Sequence, residues 1–262
     1  MSTMSSTTER TARIAAPVLV GLLGLAVWQL LVSVGGVSEY LLPSPSEIWT
    51  ELRENSEAIR EATWITGGNA LAGLVFGTVL AVLLAAIAGW ARWFDGMLAP
   101  VVASIAVVPI VALAPVLNSM YGADSEYGRR AIAALAAFVP VFVNTLRGLR
   151  QTTPLHRDLM STYAASPWQT FRSLTLPSAT PYLLTGIRVA SSLAVISALV
   201  AEYFGGPRGG LGSFITTSAA TSAYARAWAY VAAAILLGLG AYLVTVLLER
   251  LVQHRLPTGS IR

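Results

Sequence analysis

Two histidines, thirteen carboxylates and seventeen basic side chains, all of them arginine, are what this 262-residue chain offers for chemistry. It has no cysteine, which excludes a disulfide framework, a thiol nucleophile and a thiolate metal site. His156 and His254 are far apart and lie in polar segments, where a histidine is more often a solvated side chain than a ligand. A membrane-embedded enzyme would need convergent His, Asp or Glu groups, and the sequence offers none. The glycine-rich run Gly205–Gly212 (GGPRGGLG) follows no β-strand and carries no Lys-Ser/Thr pair, so it does not read as a phosphate-binding loop. The arginines sit at the ends of apolar runs rather than in a dense basic face, which points to membrane topology and away from nucleic acid. No catalytic residue, metal or cofactor is expected.

What the chain must position is therefore a set of membrane helices. Only 11% of its residues are charged, against about 25% in a soluble domain, and its mean hydropathy is +0.65. A hydrocarbon core takes roughly 20 apolar residues as helix. Uncharged runs at 14–38, 62–91 and 96–123 meet that length. The run 131–146 is shorter, and Arg130 and Arg147 extend it by reaching to opposite interfaces. Segments from about 181 to 203 and from 227 to 248 complete six spans. The expected fold is an all-α membrane protein with six transmembrane helices. Residues 1–13 read as an N-terminal tail, 14–250 as a single transmembrane domain and 251–262 as a C-terminal tail. A cleavable leader is disfavoured, because the first run exceeds the apolar core of about 7–15 residues that such leaders carry.

Within the spans, several residues ask for a role. Ser46, after two prolines, is the expected cap of an amphipathic surface helix that includes Ile48, Leu52 and Ile59. Gly73 and Gly77 form a GxxxG pair that permits close helix packing. Pro100, Pro109 and Pro115 kink the third span, either to line a pathway or simply to pack. Asn144 bonds across helices or faces a wet cavity. Glu202 ends the fifth span, inside the membrane or at its outer interface.

Between the fourth and fifth spans lies the longest amphipathic gap, Asp158–Pro177 (DLMSTYAASPWQTFRSLTLP). Two short helices are expected, Pro154–Ala165 and Pro167–Leu174, lying across the spans. Ser166-Pro167 is a helix-start signal, and Trp168, Phe171 and Leu174 share one face. A loop of this length asks for a job. Its exposed apolar residues fit either a soluble partner or a lipid surface. Six spans place both termini on one side, which carries ten arginines against six on the other. The positive-inside rule makes that side, and this loop, cytoplasmic.

The loop resembles the EAA loop of permease subunits of binding-protein-dependent ABC importers, whose pattern is Glu-Ala-Ala, three residues, Gly, nine residues, Ile, any residue, Leu-Pro. Asp158, Leu159 and Met160 take the first three positions, Ala164 the glycine, Leu174 the isoleucine, and Leu176-Pro177 match the final pair. Ala164 replaces a glycine able to adopt a left-handed turn, so a differently built turn is expected. Leu159 and Met160 are bulkier than alanine, so the fit to a partner differs in detail. Beyond the loop, LLPSPS at 41–46, PIVALAP at 109–115, NTLRGL at 144–149, PYLLTGIR at 181–188, and Ala201-Glu202 with Gly210-Leu211-Gly212 resemble the nitrate/sulfonate/taurine-type branch.

That resemblance implies the fold of a type I importer permease in a prokaryotic cell membrane, with both termini cytoplasmic. It implies a second permease chain, expected to be a copy of this one, two ABC ATPase subunits that bind the ATP, and an extracytoplasmic substrate-binding protein. Transport would proceed by alternating access. The implied coupling residues are Asp158, Leu159, Met160, Ala164, Ser166, Pro167, Trp168, Phe171, Leu174 and Pro177. Pro109, Pro115, Asn144 and Glu202 are the candidates for the pathway. The rival is a stand-alone secondary transporter or channel, which predicts inverted repeats and midplane charges; no convincing repeat is visible. The branch includes importers of several solutes, so the substrate stays open.

Overall fold

The computed structural model describes residues 5–38, 40, 42–122, 125–205 and 209–255, and every regular element among them is helical. Leu41, Asp124, Arg208 and the last seven positions lie outside the described residues. In chain order the helices are α1 (Ser5–Val34), α2 (Pro45–Glu54), α3 (Ser56–Trp90), α4 (Arg92–Val107), α5 (Ile110–Tyr121), α6 (Tyr127–Leu149), α7 (Pro154–Thr162), α8 (Pro167–Thr170), α9 (Leu176–Tyr203), α10 (Leu211–Ala220) and α11 (Tyr224–Arg255). A π-helical turn, Phe171–Thr175, joins α8 to α9. Helical structure continues into both segments expected as tails: Ser5–Arg13 belongs to α1, and α11 runs on to Arg255.

Helices α3, α6 and α9 form the centre. Ala81, Ala85 and Ala88 of α3 pack on Phe138, Val141 and Phe142 of α6 and on Ala190 of α9. Small residues dominate because lipid tails are as apolar as leucine. Helices in a membrane are held by close van der Waals contact rather than by expulsion of water. The GxxxG pair shows this. A methyl group at Gly77 would run into the backbone carbonyl of Ala134, and one at Gly73 into Ala133. The pair therefore seats α3 on α6 within the chain.

Five helical stretches are long and apolar enough to cross a membrane: Ala15–Val34, Ser56–Trp90, Tyr127–Leu149, Pro167–Tyr203 and Tyr224–His254. The third expected span is instead broken. Its two halves, α4 and α5, meet at 98°. Pro100 and Pro115 sit inside helices, so the bend is not shared among three prolines. It falls at Pro109, because a proline pushes the residue before it out of the helical region. Val108 is accordingly extended, at φ −62° and ψ 122°.

Two further local expectations change. The cap of α2 is Ser44, not Ser46. Ser44 Oγ accepts from the Glu47 N–H (3.3 Å) and the Glu47 carboxylate accepts from the Ser44 N–H (2.7 Å), with Pro45 in the first turn. Ser46 is free to hold α1, donating its N–H to Gln29 Oε1 (3.1 Å). The amphipathic helix also stops at Asn55, so Glu57, Ile59 and Arg60 begin the long α3. Along Ala15–Val34 of α1 almost nothing is covered; the helix meets the bundle near Trp28, whose ring is edge-on to Trp228 at 5.7 Å.

Candidate functional site

The loop after α6 is built by capping. Thr153 Oγ1 accepts from the His156 N–H, and Pro154 opens α7. At the other end, the N–H of Ala164 donates to the Ser161 carbonyl (2.9 Å) and that of Ala165 to the Met160 carbonyl (3.0 Å). This is a Schellman close, which needs a left-handed residue after the cap. Ala164 supplies it at φ +52°. The expectation of a differently built turn is thus corrected: alanine takes the glycine's conformation, at a steric cost of about 1 kcal/mol.

Ser166 then starts α8 with a capping box. Its hydroxyl accepts from the Gln169 N–H (3.3 Å) and its N–H donates to Gln169 Oε1 (2.7 Å). The second helix is not the separate crosspiece expected. It runs through the π-helical turn into α9, giving one helical stretch of 37 residues, Pro167–Tyr203. Pro177 accounts for the turn: it lacks an N–H, and its ring would crowd the carbonyl four residues back, Ser173, which the wider π geometry moves aside.

Asp158, Leu159, Ala164, Ser166, Pro167, Trp168 and Phe171 lie on the surface of this unit, and Met160, Leu174 and Pro177 are half-buried. Trp168 is 67% exposed and stacks on Phe171 at 5.7 Å. Leu155, Leu159 and Tyr163 are exposed beside them. An apolar surface raised on capped, polar turns is the shape of a protein contact.

The pathway candidates do not come together. Asn144 lines a cavity of about 490 Å³ with Pro140, Val139, Val143, Ile105 and Leu193. A second cavity of about 630 Å³ shares Ala106, Val139 and Val143 with it and ends at Arg147, Arg150 and Asp95. Together they make one groove along α4 and α6, opening at the coupling end, where Arg150 pairs with Asp95 at 2.8 Å. Pro109 sits at the bend next to Val108, which lines the first cavity. Pro115 is exposed on α5 and outside that lining.

Glu202 is elsewhere and is fully buried. Its carboxylate accepts from Thr66 Oγ1 (2.7 Å), Asn69 Nδ2 (3.4 Å) and the Gly212 N–H (3.2 Å). A side chain at Gly210, where φ is +94°, would strike that carboxylate, so only glycine fits there. Glu202 thus holds α10 and its glycine-rich approach against α3 and α9 and lines none of the groove. Sequence reasoning missed α10, and it missed Thr66 and Asn69 as partners. The available signal was a lone carboxylate ending an apolar run, with two polar residues three apart in another. It also missed an ion pair, Arg188–Glu249 at 3.0 Å, which ties α9 to α11 and to which Thr185 donates at 3.3 Å.

Residues 69–256 match the family of the binding-protein-dependent transport system inner membrane component. The chain is 33% identical to the formylaminopyrimidine transport permease protein ThiX of Halalkalibacterium halodurans, across 79% of this chain and 82% of that one. It is 31% identical to the riboflavin transport system permease protein RibX of Chloroflexus aurantiacus, across 87% and 85%. With a putative aliphatic sulfonates transport permease protein, SsuC of Escherichia coli, it shares 30% identity across 68% of each. Permease subunits of this kind are not themselves enzymes, and a separate subunit carries the ATPase. The capped coupling loop, the apolar bundle and these relatives have one meaning: the chain belongs to the family of inner-membrane permease components of binding-protein-dependent ABC importers.

Proposed function

We propose that this chain forms one half of a translocation pathway whose other half is a second copy, and that α7 and α8 are where an ATPase subunit grips it. The observation that carries this reading is the unbroken helical run Pro167–Tyr203, with a stacked, exposed Trp168–Phe171 pair at one end. A partner holding that pair holds a lever that crosses the membrane. ATP-driven closure of two ATPase subunits would move both levers, and with them the groove along α4 and α6. An open groove on one chain is completed by the same groove on another, which favours a homodimer. Asp158, Leu159, Met160, Ala164, Ser166, Pro167, Leu174 and Pro177 shape and orient this contact. Asn144, with Pro109 at the bend, belongs to the pathway. The arginine balance supports cytoplasmic termini and a domain spanning residues 14–250.

The solute follows from neither groove nor loop. The named relatives carry formylaminopyrimidine, riboflavin and sulfonates, and the first cavity of the groove, away from Arg147 and Arg150, has a mostly apolar lining around one amide. A flat, uncharged organic solute fits that lining better than a small inorganic anion. The deciding experiment is mild-detergent purification of the tagged chain from its host. An ATPase subunit is expected in equal amount, with two permease chains per complex. A chain that purifies without one and still transports when reconstituted alone would establish the stand-alone transporter instead.

A further inference from the structure

We infer that a charged groove at the end of the bundle opposite α7 seats the external binding protein, and that Arg130, Asn69, Thr66 and Glu202 carry its arrival to α10. The inference rests on the importer reading above. The groove, of about 710 Å³, is lined among others by Glu57, Arg60, Glu61, Trp64, Glu126 and Arg130. Five charged side chains thus meet in one place, in a chain only 11% charged. Trp64 stands beside them 77% exposed. Arg130 and Leu149, where the coupling loop begins, are about 29 Å apart along α6 at 1.5 Å per residue, so groove and loop lie at opposite ends of the bundle.

The ion pairs at its surface are exchangeable. Glu57–Arg60, at 3.7 Å, is exposed on both sides, and Arg130 pairs with Glu126 at the rim. Exposed pairs of this kind contribute little stability, so a partner's charges can replace them cheaply. Tryptophan and arginine are among the residues most enriched among the anchors of protein contacts, and both stand in this groove. A soluble protein with a charged, mixed-sign edge fits this groove.

Behind the rim runs an unbroken chain of hydrogen bonds. Arg130 Nε donates to Asn69 Oδ1 (3.2 Å) and Asn69 Nδ2 to Glu202 Oε1 (3.4 Å). Glu202 Oε2 accepts from Thr66 Oγ1 (2.7 Å) and from the Gly212 N–H (3.2 Å), and Thr66 Oγ1 accepts from the Leu211 N–H (2.8 Å). Leu211 and Gly212 are the first two residues of α10. Asn69, Thr66 and Glu202 are all essentially buried. Hydrogen bonds in such a buried network strengthen one another, so a change at one of the four groups is felt by the others. A partner carboxylate that draws Arg130 outward pulls Asn69 with it and shifts the carboxylate on which α10 is seated. Thr66, Asn69 and Glu202 are then positioning residues for opening at this end, not solute contacts.

The test uses the complex of this chain with its ATPase subunits in lipid nanodiscs, titrated with the external binding protein that stimulates wild-type ATP hydrolysis. Two numbers are read: the half-stimulating concentration, and the ratio of stimulated to unstimulated rate. Trp64→Ala and the exchange Arg60→Glu with Glu61→Arg are expected to raise the half-stimulating concentration at least about tenfold. Thr66→Val is expected to cut the stimulation ratio by roughly threefold or more with the half-stimulating concentration held within twofold, and Thr66→Ser to restore it. Groove variants that leave the half-stimulating concentration within twofold overturn the docking site. Equal ratios for Thr66→Val and Thr66→Ser overturn the relay. A wild-type complex that no external binding protein stimulates brings down the importer reading itself, and the wild-type titration alone distinguishes that failure from the other two.

Discussion

At the coupling end of the bundle the tryptophan that matters, Trp168, is 67% exposed and stacked on another exposed ring. At the other end the carboxylate that matters, Glu202, is buried at 0% exposure with three donors around it. The two regions invert the soluble-protein rule of apolar inside and polar outside, each for its own reason. An apolar residue can stay outside when a partner is to cover it. A charged residue can stay inside when each of its oxygens is met by a donor. The exposed rings are left for a partner to cover in the function proposed above; the buried carboxylate finds its donors within this chain. Both ends also use the same turn. Ala164 closes α7 and Ser222 closes α10, each left-handed (φ +52° and +61°) in a Schellman arrangement that many helices give to glycine.

That contrast can be broken from either side, and the buried end should break hardest. Glu202→Ala strands the Thr66 hydroxyl and the Gly212 N–H without an acceptor, at about 1–3 kcal/mol each. Thermal unfolding of the purified chain in detergent should therefore fall by several degrees, and Glu202→Gln should recover most of the loss. Trp168→Ala leaves the chain folded, since nothing in the bundle rests on that ring. Truncating an anchor of this type costs an interface about 2 kcal/mol or more, roughly thirtyfold in affinity. Retention of the ATPase subunit during purification should drop accordingly, with the melting curve unchanged. A melting shift as large as that of Glu202→Ala would show that Trp168 packs inward.

A third change probes the seam between the two ends. Gly77→Leu drives a side chain into the Ala134 carbonyl and should cost about 1–3 kcal/mol by overpacking, seen as a lower yield of folded protein. The smallest effect belongs to the turn. Ala164→Gly removes a left-handed strain of about 1 kcal/mol but frees the unfolded chain by a similar amount. Its unfolding midpoint should stay within a degree or two of wild type, whereas Ala164→Val should fall clearly below it.

The bundle was readable because membrane helices announce themselves: an uncharged run of about 20 residues has few alternatives in lipid. The loop was readable because Ser166-Pro167 and the spacing from Asp158 to Pro177 are local features, fixed by capping and by the reach of a short helix. What escaped was everything made by two distant segments at once. Glu202 meets Thr66 across 136 positions and Leu211 meets Thr66 across 145, and no periodicity connects such residues. The 98° break was half visible: three prolines marked the span, but which one bends it depends on the residue before each and on the helices around it. The π-helical turn was hidden for a related reason, since the second short helix was expected to end at Leu174 and the fifth span to begin only at about 181.

That turn sets an angle. An α-helix advances about 100° per residue, and a π-helical turn holds one residue more than an α-helical turn would. The face carrying Trp168 and Phe171 is therefore rotated by about 100° relative to the faces of α9 from where an uninterrupted α-helix would put it. Deleting Arg172 or Ser173 from the turn would keep the span, the cap and the exposed rings, yet point the rings about a quarter turn away. Coupling would be lost with every contact residue still present, so the phase of the helix is as much a part of this contact as the side chains on it.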